Sequence, residues 1–424
     1  MRSKVGVIPY VILLLPFDLV VVVALLLAQL CGFVSLRFKK HRKRLDSPPP
    51  EEGCLSHQIT LEGEGGVVAH TEALLVSDHP VRSYKVASQH LFDVAATPPH
   101  EEGNIPQAPP ATIVIVNWDG KHLLAECLPA VIESVKCAGG NHEILVVDNG
   151  SADGSAQFIR ENFPQVRILA LDRNYGFTGG NNRGADEAQT DIVVFLNNDM
   201  VVDRGFLRPL LTGFSDPSVF AVTCQIFFAD ATRRREETGK TRARFEHGFF
   251  YLWHDDLRGE DSNLETLPVF WAGGGSCAIH RKKFLAIGGF DSLYHPFYVE
   301  DTDLSYQAWK RGWKCLLAPA SRAVHKHRST SRAKFGDRFV ENTIRKNQYL
   351  FVWKNVTDLS MMLEHLANLP RIHARCIIQN GPRFEIRAFL RAVRQLPQAL
   401  GKRLSGISHY VISDREVLAR SQKT

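Results

Sequence analysis

Four short polar clusters in this 424-residue chain each follow an apolar run. They are Asn117-Trp118-Asp119, Asp148-Asn149-Gly150-Ser151, Asn174-Tyr175-Gly176-Phe177 and Asn197-Asn198-Asp199. Three of the four carry a carboxylate. A single strand-end aspartate commonly caps the helix that comes after it. Three in series, on runs that share one sheet, converge on one edge and form a candidate site. Farther on, Val299-Glu300-Asp301-Thr302-Asp303 places adjacent carboxylates at the start of a helical pattern. Such a pair can exchange protons with a bound group, or compensate the positive end of a helix. Gly179-Gly180, just before a helix, either lets backbone approach an anion or serves only as a turn. His325 closes another apolar run, two residues before His327. Along a strand those two imidazoles would point to opposite sides.

The elements that must position these residues can be read from the apolar runs. ATIVIVN (111–117), HEILVVD (142–148), VRILAL (166–171) and DIVVFLN (191–197) read as buried strands. Helical patterns intervene through about Cys137, near 153–162 and near 178–189, and another is expected over 302–311. Apolar strands alternating with helices predict an α/β fold with a mostly parallel sheet and right-handed crossovers. Ligands in such sheets bind at the carboxyl ends of the strands, where the polar clusters fall.

In order and spacing, seven motifs resemble family 2 glycosyltransferases of the GT-A fold, in the subgroup similar to bacterial rhamnosyltransferases. They are NWDG (117–120), VDNGSADGS (147–155), RNYGFTGGNNRG (173–184), LNNDMVV (196–202), WAGGGSCAIHR (271–281), GGFDSLYHPFYVEDTDLSYQAWKRGW (288–313) and AVHKHRSTS (323–331). The resemblance runs from about Ala111 to Asn355 and implies a GT-A domain over 111–335.

The resemblance implies transfer of a sugar from a nucleotide diphosphate. Asn117 and Asp148 would face base and ribose, with Asn174, Gly176, Phe177, Asn197 and Asn198 on the same donor-binding edge. A divalent cation would neutralise the leaving diphosphate, and oxygen ligands suit Mg²⁺ or Mn²⁺. Asp199 is the expected ligand. Asn197 stands where a strict Asp-x-Asp motif has its first aspartate, so His325 is the expected second ligand. Asp301 would be the base that takes the acceptor proton, with Glu300 supporting it and Asp303 capping. Trp271, Gly273 and Gly274 would floor the sugar and acceptor site. A single displacement implies inversion at the anomeric carbon. dTDP-rhamnose is the favoured donor, and a lipid-linked or polysaccharide acceptor in cell-surface glycan synthesis is expected. Two rival functions remain: a catalytically inactive, membrane-anchored scaffold that binds sugar nucleotides or glycans, and a nucleotidyltransferase. The latter would want a richer phosphate loop than NWDGKHLL.

Outside the motifs, Val5–Leu36 is almost continuously apolar, broken by Pro9, Pro16, Asp18 and Gln29. About 20 such residues cross a bilayer as a helix. The basic cluster Arg37, Lys39, Lys40, Arg42, Lys43 and Arg44 places the downstream chain in the cytoplasm. Residues 1–45 therefore read as an anchor in the cytoplasmic membrane, either one tilted span or a re-entrant hairpin broken at Pro16, with Asp18 capping the break. Residues 46–110, with three proline clusters, read as an irregular linker. Residues 336–424 read as helical and basic: a membrane-surface tail or helices packed on the catalytic domain. No nucleic-acid-binding motif accompanies that charge. The whole chain carries 51 Lys+Arg, 45 Asp+Glu and 44% hydrophobic residues. Those values exclude a wholly disordered chain or a collagen. Eight cysteines without a C-x-x-C pair exclude a zinc ribbon and fit a reducing compartment.

Overall fold

The structure is a computed structural model and describes residues 4–45, 108–229, 237–326 and 335–423. The expected linker therefore lies almost wholly outside the described residues, as do His327 and the Arg233-Arg234-Arg235 run.

The chain opens with α1 (Ile8–Leu45). The α/β unit comes next: β1 (Ala111–Asn117), α2 (Lys121–Ala138), β2 (Glu143–Asp148), α3 (Ser155–Asn162), β3 (Arg167–Ala170), α4 (Gly176–Glu187), β4 (Ile192–Asn197). It continues through β5 (Met200–Val202), α5 (Leu207–Thr212), β6 (Val219–Phe228), β7 (Thr241–Glu246), β8 (Phe249–His254), β9 (Leu267–Pro268) and β10 (Ser276–His280). Then α6 (Arg281–Ile287), α7 (Glu300–Lys310) and β11 (Lys314–His325) complete the sheet. Five helices close the chain: α8 (Asp337–Asn355), α9 (Leu359–Asn380), α10 (Pro382–Arg394), α11 (Leu396–Ile407) and α12 (Asp414–Arg420).

The strands pair in the order β3-β2-β1-β4-β10-β6-β11-β5, with β9 on β11. β1 to β4, β6 and β11 run one way; β5, β9 and β10 run against them. This is the mostly parallel α/β sheet expected from the apolar runs. Its carboxyl edge gathers Asn117, Asp148, Asn197 and His325, and the antiparallel β10 starts there at Ser276.

Each face of the sheet buries one apolar layer. Leu124 and Leu128 of α2, Ile159 of α3 and Leu207 and Leu210 of α5 cover one side. Ala185, Phe284, Leu304 and Trp353 from α4, α6, α7 and α8 cover the other. A Cβ on Gly184 would lie 2.4 Å from Val114 Cγ1, so glycine lets α4 sit close on β1.

The C-terminal helices are not a separate tail. Residues 1–40 and 107–424 form one compact unit. Lys310 Nζ reaches Asp414 at 2.7 Å, and Lys354 Nζ lies 2.6 Å from both Asp291 and Asp303. The stretch 226–268 builds the β7–β8 hairpin, whose Phe249 and Phe250 pack on Tyr349 and Phe351 of α8. The seven described cysteines are free thiols.

Of the two alternatives for the N-terminus, the re-entrant hairpin is not formed. α1 runs unbroken through Pro16. Asp18 does not cap a break: it is buried in mid-helix, 2.9 Å from His373 Nε2.

Candidate active site

Two strand ends are stitched side chain to side chain. Asn117 is fully buried; its Oδ1 accepts from Asn198 Nδ2 at 2.8 Å and its Nδ2 donates to Ser151 Oγ at 3.3 Å. Asp148, beside Asn117 in the parallel register, accepts the Ser151 N–H at 3.3 Å. Sequence reasoning alone gives Asn149 no role. Its buried amide spans the edge, donating to Asn174 Oδ1 and the Gly176 carbonyl at 3.1 Å each and accepting the Tyr175 N–H at 2.9 Å. One side chain thereby shapes the 174–176 turn. Its place directly after Asp148 in a strand-end cluster is the signal that could have found it. Asn174 accepts the Gly176 N–H at 2.7 Å, and Phe177 packs on Phe290.

Asn197 lies against the glycine run. A Cβ on Gly275 would fall 2.4 Å from Asn197 Nδ2, while one on Gly273 would meet nothing within 4 Å. Gly274 sits between Phe177 and Asp301, and its N–H donates to Asp301 Oδ2 at 3.2 Å. Trp271 is half-buried; its backbone is held on both sides by Thr241 Oγ1, at 2.9 and 2.7 Å, and its ring meets His254 edge-on.

Asp199 and His325 come together across β5, because the β11–β5 register pairs His325 with Met200. His325 Nε2 is 3.2 Å from Asp199 Oδ2, and Glu237 Oε2 is 3.5 Å from Nδ1. Burial opposes an imidazolium here, but the two carboxylates outweigh it and lift His325 to about 9. Asp199 Oδ1 is buried without a hydrogen-bond partner among the described residues. Among those residues no three His, Cys, Asp or Glu side chains form a ready-made cation cage. An orphaned carboxylate oxygen beside an imidazole is a partial donor set, the kind Mg²⁺ or Mn²⁺ completes with water and substrate phosphates.

Glu300 and Asp301 open α7, two residues earlier than the expected helix start. Asp301 Oδ1 accepts the Thr302 N–H at 2.7 Å. Burial raises the Asp301 carboxyl, and the Gly274 and Thr302 N–H groups oppose that rise. Burial, and then the Asp301 charge, raises Glu300 to about 8; its Oε2 has no partner among the described residues. The backbone that aims this pair is strained. Tyr298 and Val299 have φ of 70° and 79°, rare for any L-residue and most unfavourable for a β-branched one. Asn347 of α8 holds that backbone, its Nδ2 lying 2.9–3.0 Å from the carbonyls of Tyr294, Phe297 and Tyr298. Strain of about 1–3 kcal/mol per residue persists only where the surroundings enforce it, typically at functional sites. Asp303 is not a cap. It is a buried acceptor for Tyr294 OH, Asn355, Gln307 and Lys354 at 2.6–2.9 Å.

Residues 112–287 match the family model for glycosyl transferase family 2. Over these residues, less than half of the chain, the protein is similar to family 2 glycosyltransferases. Glu300, Asp301 and His325 lie beyond them. The chain is similar to an N-acetylgalactosaminyltransferase 6 from Drosophila melanogaster, 29% identical over 232 residues, covering 52% of this chain and 33% of the relative. It is also similar to an N-acetylglucosaminyl-diphospho-decaprenol L-rhamnosyltransferase from Mycobacterium tuberculosis, 29% identical over 210 residues, covering 45% of this chain and 68% of the relative. An O-antigen biosynthesis protein from Myxococcus xanthus is 25% identical over 229 residues, 53% of this chain and 18% of its own length. The chain thus spans a third or less of the fly and Myxococcus relatives. Its fold is a mostly parallel α/β sheet, with the polar strand-end motifs along the carboxyl edge.

Proposed function

We propose that this protein, acting as a family 2 glycosyltransferase, moves a sugar from a nucleotide-diphosphate donor, dTDP-rhamnose or a related one, to a hydroxyl of a lipid-linked or polysaccharide acceptor at a membrane. The observation that carries the reading is the convergence of Asn117, Asp148, Asp199, His325, Gly274 and Asp301 on one sheet edge. The mycobacterial relative, named for transfer to a diphospho-decaprenol, supports the lipid-linked acceptor.

Asn117, Asp148, Asn174, Gly176 and Phe177 form the donor wall, with Asn197 and Asn198 bracing it. Asp199 and, once its imidazole gives up the proton the neighbouring carboxylates favour, His325 would hold Mg²⁺ or Mn²⁺. When bound, that cation supplies Lewis-acid stabilisation of the departing diphosphate. Asp301 takes the acceptor hydroxyl proton. The Gly274 and Thr302 N–H groups keep its oxygens oriented, and they favour the ionised form against the burial that opposes it. Glu300, held neutral near pH 7, adds no second charge beside the base. Trp271, Gly273 and Gly274 floor the sugar and acceptor space. One displacement by one base inverts the anomeric centre. The apolar α1 holds the protein at the cytoplasmic face of the membrane.

Titration calorimetry of UDP, dTDP and GDP tests this reading. One nucleotide should bind tightly only with Mn²⁺ or Mg²⁺, and Asp199→Ala should remove the metal requirement together with the tight binding. Equal affinity with and without metal would contradict it.

A further inference from the structure

We infer that α1 binds the membrane lying in its plane, as one wall of the folded domain, rather than crossing it; the inference rests on the membrane association proposed above. With Val7 just before it, its buried positions among the described side chains are Leu14, Asp18, Val21, Leu25, Ala28 and Gly32. Their spacing of 7, 4, 3, 4, 3 and 4 makes a single seam down one side of the helix. The seam is docked from Val7 to Gly32. Near its start, Val7 and Tyr10 share a cleft with Ile377 and Arg383. At its middle, Asp18 meets His373 of α9, which also contacts Glu385 of α10 at 2.8 Å. Near its end, Gln29 donates to the Thr357 carbonyl at 2.7 Å and contacts Arg403. A Cβ on Gly32 would lie 2.8 Å from Ile407.

Twenty-five residues of rise from Val7 to Gly32 make about 37 Å of helix, more than the ~30 Å hydrocarbon core. If α1 crossed the bilayer while docked, the middle of α9 would sit near the midplane. Exposed Arg371 and Arg375 flank His373 there, and exposed Arg387 lies beyond them on α10. Each arginine at that depth costs roughly 2.5–3.5 kcal/mol on insertion scales. Crossing undocked fares no better. It carries the Asp18 carboxylate into hydrocarbon without His373 and strips apolar cover from the domain core.

The opposite face of α1 is a ready lipid contact. Ile8, Ile12, Leu19, Val23, Leu26 and Leu30 are all 40–63% exposed. Only 28% of the apolar stretch is buried, where a core helix would be covered all round. Apolar faces of in-plane helices enter about 5–10 Å into the interface. The charge around the stripe selects the lipid. Arg338 and Arg383 line the cleft of about 610 Å³ at its N-terminal end, and the sequence after the stripe carries Arg37, Lys39, Lys40, Arg42, Lys43 and Arg44. Cations at both ends of an uncharged stripe fit a bilayer with anionic headgroups.

Depth measurement in vesicles tests this. Single nitroxide labels are placed at I12C, L19C, L26C and L30C, each on the full chain with Cys31, Cys54 and Cys137 changed to serine. The vesicles are phosphatidylcholine with or without phosphatidylglycerol, and depth is read from collisions with oxygen and a nickel chelate. The in-plane helix predicts that all four labels lie at one shallow depth, with tighter binding when phosphatidylglycerol is present. A spanning helix would spread positions 12 to 30 over about 27 Å, through the midplane; that result would overturn the in-plane inference while leaving membrane attachment standing. Failure to bind either vesicle would overturn the membrane reading itself. A Leu19→Glu variant, altered only on the exposed face, should lose vesicle binding at least tenfold while remaining folded; unchanged binding would also overturn the inference.

Discussion

Replacing Glu300 by glutamine separates the roles of the two adjacent carboxyls. Glu300 is 7% exposed, and burial with the neighbouring Asp301 charge raises it to about 8. At pH 7, one unit below that value, roughly one Glu300 in ten is ionised. Glutamine therefore reproduces both the size and the charge of the group that is mostly present at neutral pH. The expected kcat of Glu300→Gln at pH 7 stays within roughly tenfold of wild type, whereas Asp301→Asn loses about 10²–10⁴-fold, the usual worth of a positioned base. Stability supplies an independent readout. Glu300 ionises near its ordinary 4.5 when unfolded and near 8 when folded. Between those values the unfolded chain has released a proton that the folded chain still holds. Wild-type stability from this group is therefore full below pH 4.5, falls as pH rises through 4.5–8, and is flat above. The difference, 8 − 4.5 = 3.5, sets a ceiling on the order of 5 kcal/mol at ~1.36 kcal/mol for each unit. Glutamine lacks this loss, so its melting temperature should gain on wild type between pH 5 and pH 8. Melting curves across that range and kcat at pH 7 are the two measurements. A Glu300→Gln enzyme as impaired as Asp301→Asn at pH 7, or a stability difference that does not change with pH, would refute the assignment.

Three further outcomes are expected. His325→Ala should weaken Mn²⁺-dependent nucleotide binding by at least roughly 10- to 100-fold in calorimetry, the range that losing even an outer-shell partner of a metal ligand costs. Lys354→Met leaves Asp291 and Asp303 facing each other without their shared cation, and should cost about 3–5 kcal/mol in urea unfolding. Gly275→Ala puts a methyl 2.4 Å from Asn197 Nδ2. Overpacking of that kind costs roughly 1–3 kcal/mol, and the displaced Asn197 should lower turnover more than it raises the apparent KM.

The parallel half of the sheet was legible because buried parallel strands are written as nearly continuous apolar runs. The run 111–117 coincides with β1, and 142–148, 166–171 and 191–197 each miss their strand by a residue or two. The strand-end polar residues were legible for the same reason: the edge is where such runs stop. Contacts between distant segments were not. Nothing local to Asp303 distinguishes a helix cap from the buried partner of Lys354, 51 positions away. Asn347 sits inside an amphipathic helix pattern, yet its amide holds the strained turn before α7. Asp18 reads as a cap because proline precedes it by two residues; its partner His373 lies 355 residues on. The pairing of Asp199 with His325 needed a resemblance to suggest it, since only the β11–β5 register makes the two neighbours.

The central claim is that the Asp199–His325 pair and Asp301 together transfer a sugar from a nucleotide diphosphate. The most direct test presents the full-length protein with a panel of nucleotide sugars and polyprenyl-linked acceptors, with and without Mn²⁺ or Mg²⁺, alongside Asp199→Ala and Asp301→Asn. One donor should be consumed only with metal, the product should have the inverted anomer, and both variants should be at least roughly 100-fold slower. Turnover that survives chelation, or that Asp301→Asn leaves intact, would contradict it.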